Sequence, residues 1–209
     1  DVTYPSAPMY LLLQPALVKG MLIPILEYAG LPRWRFPFAP HDLGTYPLAN
    51  GQVYGGGEHG EENQMPVEEC GNMLILAGAL LRFEDDLDFV RKYWSTLSTW
   101  AEYLMEKGYD PENQLCTDDF AGHLAHNTNL SLKAIMALGA YSQMAAAMGD
   151  DARATRFRTA AAAAAQRWQV DALDASGCYR LAFDQPGTWS QKYNLVWDKL
   201  LGLELFPAK

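Results

Sequence analysis

Two apolar stretches, Gly71–Leu81 and Leu130–Met148, constrain the fold of this chain most. The first carries no charge, and the second carries Lys133 alone. A helix that is apolar nearly all the way round must be enclosed by protein. Each stretch is followed by a segment of a different kind. Leu87, Val90, Trp94, Leu97, Ala101 and Leu104 recur at alternating spacings of three and four, as do Ala154, Phe157, Ala161, Ala164 and Trp168. Their other faces carry Arg91, Lys92, Glu102 and Glu106, and Arg153, Arg156 and Arg167. These are one-sided amphipathic helices with a solvated back.

The pattern predicts inner helices over about 66–83 and 127–148, each followed by an outer helix, over about 86–107 and 150–170. A further inner helix is expected over about 190–203. An earlier outer helix is expected from Gln14 to Ala29, with Pro15 in its first turn and Pro24 as a point of bending. Inner-to-outer joins are tight, at Glu84–Asp85 and Gly149–Asp150. Outer-to-inner joins are long: Gly30 to Met65, Gly108 to His126 and Asp171 to Ser190. Such an array sends every long loop to the end where the inner helices begin, and long ordered loops usually carry function. The expected fold is all-α: a curved double layer of helical hairpins, an α/α toroid. Residues 1–209 read as one partial toroid domain, about half of the ring. An open half-ring exposes apolar edges, so the parent polypeptide is expected to extend further at both ends.

Several function classes are disfavoured at this stage. Net charge is -9, which argues against a phosphate-backbone partner, and no basic run offsets it. The most hydrophobic run, Met73–Leu81, is nine residues long, against the roughly 20 that a membrane-spanning helix needs. Nucleic-acid and membrane partners are therefore not expected. Cys70, Cys116 and Cys178 are scattered and odd in number, which reads as free thiols rather than a disulfide framework.

Candidate chemistry concentrates in CTDDFAGHLAHN, Cys116–Asn127, at the mouth of the second apolar helix. Asp118 or Asp119 could serve as a general acid with a second carboxylate opposite; adjacent residues point differently, so one of the two would face a cleft. Glu68, Glu69, Glu58 and Asp42 are the possible partners. The competing reading makes the acidic pair a helix cap, satisfying free N–H groups and the helix dipole. Glu68 and Glu69, in a first turn, divide likewise between substrate chemistry and a structural role, offsetting the helix dipole and pairing with a nearby base. His123 and His126 follow Asp119 at spacings that one helical face could hold, so Asp119, His123 and His126 form a divalent-metal candidate. No cofactor is otherwise expected. Substrate-binding candidates are His41 and Asp42 in HDLG, Glu58 in the loop GGGEHGEEN, His123, and Trp189 and Gln191 in PGTWSQ; Trp197 reads as core. Cys116 with a histidine base is a further nucleophile candidate, and no G-x-S-x-G elbow occurs.

Four segments, FAPHDLGTYP (Phe38–Pro47), QMPVEECGNMLIL (Gln64–Leu76), CTDDFAGHLAHNTNLSLKAI (Cys116–Ile135) and FDQPGTWSQKYNLVWDKLLGL (Phe183–Leu203), resemble the six-helical-hairpin domain of the glutaminase A family. That resemblance covers nearly the whole chain. It implies hydrolysis of the L-glutamine side-chain amide, a small-molecule substrate and a secreted or periplasmic setting. It also implies a longer parent, with the rest of the toroid and an N-terminal β-rich region as partners. More distantly the arrangement is similar to α/α-toroid glycoside hydrolases of the bile-acid β-glucosidase type, and there Asp118 or Asp119 falls near the catalytic acid. Three readings thus stand: a glutamine amidohydrolase, a glycoside hydrolase using a carboxylate pair, and a non-catalytic scaffold or inactive fragment.

Overall fold

A computed structural model describes residues 2–117 and 121–207. The regular elements among the described residues are all helices: α1 (Thr3–Leu13), α2 (Pro15–Ala29), α3 (Pro66–Glu84), α4 (Leu87–Lys92), α5 (Trp94–Lys107), α6 (Thr128–Ala147), α7 (Asp151–Asp171) and α8 (Val196–Leu201), the last preceded by a 3-10 turn at Tyr193–Leu195. The central pair is α3 against α6. Residues Val67 to Leu80 of α3 are buried without interruption, as are Thr128 to Ser142 of α6. Their axes approach closely over Gly71 and Gly78, where an added Cβ would lie 2.6 Å from Lys133 Cγ and 3.0 Å from the Ala140 Cβ. Glycine is a poor helix former; here it is required by that approach.

The outer helices bury one stripe each. On α5 it is Leu97, Trp100, Ala101 and Leu104; on α7 it is Phe157, Ala161, Ala165 and Trp168. The α7 stripe therefore runs through Ala165, with Ala164 half-buried beside it. Both tight joins have local causes. Asp85 closes α3 in the left-handed conformation, and the Asp86 carboxylate caps α4 by accepting from Phe89 N at 3.0 Å. At the second join Gly149 takes φ +79°, and Asp150 caps α7 through Arg153 N at 3.0 Å.

Three expectations are corrected. The outer helix over 86–107 is interrupted at Tyr93, whose backbone leaves helical geometry while its hydroxyl donates to Glu27 of α2 at 2.6 Å. The helix expected over 190–203 starts at Tyr193, because the Lys192 ammonium is held by the backbone oxygen and hydroxyl of Ser190, each at 2.7 Å, which keeps residues 190–192 as loop. Finally, α1 was not anticipated. Pro5 and Pro8 mask its pattern, yet Tyr4, Ala7 and Leu11 form a buried stripe. Along the other side of α1 and into α2, Met9, Leu12, Leu13 and Leu17 are exposed.

Candidate functional site

Two of the long loops, the one before α6 and the one that follows α7, border a cavity of about 690 Å³ together with α1 and the α8 end, within the size range of small-molecule sites. Tyr4 and Pro5 of α1 form one wall. Thr117 and Ala121, on the loop before α6, form a second, and Trp189, Ser190 and Gln191 of the last loop form a third. Trp197 and Tyr193 complete it from the α8 end. Trp197 is a core residue packed on Tyr4, with ring centroids 5.8 Å apart, whereas Trp189 is 67% exposed.

Behind Thr117 lies a fully buried ion pair. Glu68 of α3 and Lys133 of α6 face each other across the helix interface, Oε1 to Nζ 2.5 Å, both side chains 0% exposed. Lys133 also donates to Asn72 Oδ1 at 2.7 Å and to Thr117 Oγ1 at 3.3 Å, and it sits 3.8 Å from the centroid of the Tyr4 ring. Glu68 Oε1 in turn accepts the Thr117 backbone N–H at 2.9 Å and the Thr117 hydroxyl. Burying two charges is costly unless geometry and additional hydrogen bonds offset the loss of water. Here Asn72 and Thr117 supply those bonds. Among the described residues no partner reaches Glu68 Oε2.

Glu69 turns the other way. It borders a small cavity of about 50 Å³, together with Tyr4, His41 and Asn72. Burial, reinforced by the adjacent Glu68 charge, raises its carboxyl above the usual range. One of its oxygens accepts from Asn72 Nδ2 at 3.2 Å, and the other lacks a partner among the described residues.

The remaining candidates sit elsewhere. Asp42 braces its own loop, accepting from the N–H groups of Gly44, Val53 and Tyr54 at 2.7, 3.0 and 3.1 Å. Burial works against its charge, but these donors and His41 Nδ1, 3.2 Å away, hold its carboxyl below the usual range. His41 stacks on Tyr54 at 4.1 Å. Glu58 is held by Arg33 Nε at 2.6 Å and by the Tyr28 hydroxyl. Neither Glu58, Asp42 nor His123 lines the large cavity, and His123 is exposed. His126 pairs with Asp110 at 2.7 Å, and that hydrogen bond raises the histidine above its ordinary value. Asp118 and Asp119 lie outside the described residues, so the metal trio with His123 and His126 is incomplete here; among the described residues no three His, Cys, Asp or Glu converge as a metal site. Cys116 is buried, with Asn127 Nδ2 3.6 Å from its sulfur. The side chain that caps α6 is Asn127, which accepts from the N–H groups of Asn129 and Leu130.

Of the sequence candidates, Glu68, Trp189 and Gln191 gather at or directly behind the large cavity. Sequence reasoning missed Thr117, Tyr4, Asn72 and the role of Lys133. The signal for Lys133 was available: a single charge in a long apolar helix must find a buried partner.

Comparison with known proteins places these features in a family. The model for the glutaminase A six helical-hairpin domain matches residues 1–209. Glutaminase A of Aspergillus oryzae is 37% identical over 211 residues, taking in 99% of this chain and 30% of that protein. A probable glutaminase of Arthroderma benhamiae is 28% identical over 263 aligned residues, again 98% of this chain and 30% of the relative. The chain therefore spans about 30% of the length of the curated relatives it matches. With its all-helical architecture and its match from end to end, the chain belongs to the glutaminase A six helical-hairpin family.

Proposed function

We propose that this domain provides the reaction cavity of an amidohydrolase that converts the side-chain amide of L-glutamine to glutamate and ammonia. The observation that carries this reading is the buried Glu68–Lys133 pair, connected to the 690 Å³ cavity through the Thr117 hydroxyl. Amide hydrolysis needs a group that accepts a proton and a fixed positive charge near a developing oxyanion, both most effective away from bulk water. Glu68 and Lys133 supply those two properties in one dry unit. Gln191 and Ser190 on the facing wall offer neutral hydrogen-bonding groups suited to a carboxamide.

In this reading Glu68 is the carboxylate partner, favoured over Glu69 because its contacts lead to the large cavity. Asp118 or Asp119 supplies the general acid. Ammonia release from L-glutamine, with Glu68→Gln and Asp119→Asn beside the wild type, tests the assignment. Loss of turnover with unchanged helical content supports each role, and an Asp119→Asn variant with full activity removes that residue from the mechanism.

A glycoside hydrolase is the second reading, and Trp189 favours it. A large aromatic face, mostly exposed on an apolar wall, is a suitable platform for a sugar ring. Aryl glycosides assayed in parallel separate the two, since sugar release without ammonia would select the glycosidase.

A further inference from the structure

We propose that Thr117 is the nucleophile of this cavity, so that hydrolysis proceeds through a covalent acyl-threonine ester. The inference rests on the amidohydrolase reading and deepens it.

Thr117 is the point at which the buried pair meets the cavity. Thr117 lines the 690 Å³ space, whereas Glu68 and Lys133 are fully enclosed behind it. A hydroxyl needs two things to attack a carbonyl carbon: a base to take its proton and a group that stabilises charge growing on oxygen. The Thr117 Oγ1–H donates to Glu68 Oε1, and the Lys133 ammonium donates to the same Oγ1 at 3.3 Å. The third element of such an arrangement is whatever orients the base. Glu68 is fixed by Lys133 at 2.5 Å and by the Thr117 backbone N–H at 2.9 Å, and Lys133 is fixed by Asn72 at 2.7 Å. Nucleophile, base and orienting groups therefore come from three separate segments: the loop before α6, helix α3 and helix α6. Backbone N–H and hydroxyl of Thr117 both donate to Glu68 Oε1, so the residue that lines the cavity is held directly on the buried carboxylate.

The steps balance. Thr117 Oγ1 forms a bond to the amide carbon while its proton passes to Glu68, and the carbonyl π pair moves to oxygen. The oxyanion collapses, the C–N bond breaks, and the nitrogen leaves as ammonia with a proton from the general acid named above. Water then attacks the ester, returning one proton to that acid; the C–O bond to Thr117 breaks, and Thr117 regains its proton from Glu68. The net change is glutamine plus water to glutamate plus ammonia. Lys133 is a positioning residue that also opposes the negative charge.

The test is wild-type protein turning over L-glutamine, quenched in acid and mapped by peptide mass spectrometry, with a parallel reaction in hydroxylamine. The expected results are a glutamyl group on the peptide that contains Thr117 and γ-glutamyl hydroxamate formed at the expense of glutamate. Thr117→Ala should lower turnover on the order of a thousandfold or more, while Thr117→Ser, which keeps the hydroxyl, retains activity. Ammonia release with no ester and no hydroxamate would overturn the nucleophile but leave the amidohydrolase standing, as would a glutamyl group mapped to Cys116. A wild-type protein that releases no ammonia from glutamine takes down both.

Discussion

Replacing Lys133 by methionine tests whether the Glu68–Lys133 unit is as dry as its geometry states. Methionine keeps much of the side-chain volume and removes the ammonium. At 2.5 Å, two unit charges attract by about 7 kcal/mol at an effective dielectric of 20. Part of that is offset because the lysine no longer needs to be desolvated. What remains is a buried carboxylate with only the two Thr117 donors and a distant Asn72 amide, at 2.9 and 3.4 Å for the nitrogen donors. Removing one member of such a pair costs about 3–5 kcal/mol. For a domain of this size that is a fall of about 6–20 °C in melting temperature. Urea unfolding followed by far-ultraviolet circular dichroism should show a lower midpoint with an unchanged slope. Adding Glu68→Gln should recover at least half of the loss, since glutamine carries no charge and can still accept from Thr117. A loss for Lys133→Met below about 1 kcal/mol, the value of an exposed pair, would mean that water reaches both charges and would refute the reasoning.

Three further outcomes follow from the same geometry. Gly71→Ala should destabilise by about 1–3 kcal/mol despite alanine's better helix propensity, because the new Cβ lies 2.6 Å from Lys133 Cγ; thermal melts read it directly. Asp42 has a depressed carboxyl pKa in the folded chain, so its stabilising effect is complete above the unfolded value of about 3.9 and is lost as pH falls through the lower folded value. Asp42→Asn should therefore be less stable by about 1–3 kcal/mol at neutral pH, and melts repeated down the acid range should show the gap to wild type closing. Trp189→Ala should leave stability within about 0.5 kcal/mol because the side chain is 67% exposed, yet lower kcat/KM for any substrate that uses the cavity by about tenfold.

The helical layers were legible because burial writes itself into charge distribution. The charge-free run of α3 and the nearly charge-free α6 marked the enclosed pair, and the unequal joins located the end at which the cavity forms. Element breaks were harder to read. Tyr93 fits an uninterrupted helical pattern, and its bond to Glu27 connects segments far apart in sequence. Residues 190–192 are kept out of α8 by a lysine bonded to Ser190, which no propensity reports. At the site, carboxylate-rich stretches drew attention to Asp42 and Glu58, which brace loops through backbone N–H groups and an arginine. Thr117 carries no such signal, since a threonine beside two aspartates looks like any loop residue. Its position depends on Glu68 and Lys133 arriving from two different helices, and that is a property of tertiary packing alone.

The most direct measurement of the central claim is ammonia release from L-glutamine, with asparagine and a panel of aryl glycosides run alongside. The account predicts ammonia from glutamine, no sugar release, and a sharp loss in Glu68→Gln at unchanged helical content. Sugar release without ammonia, or full glutaminase activity in Glu68→Gln, would contradict it.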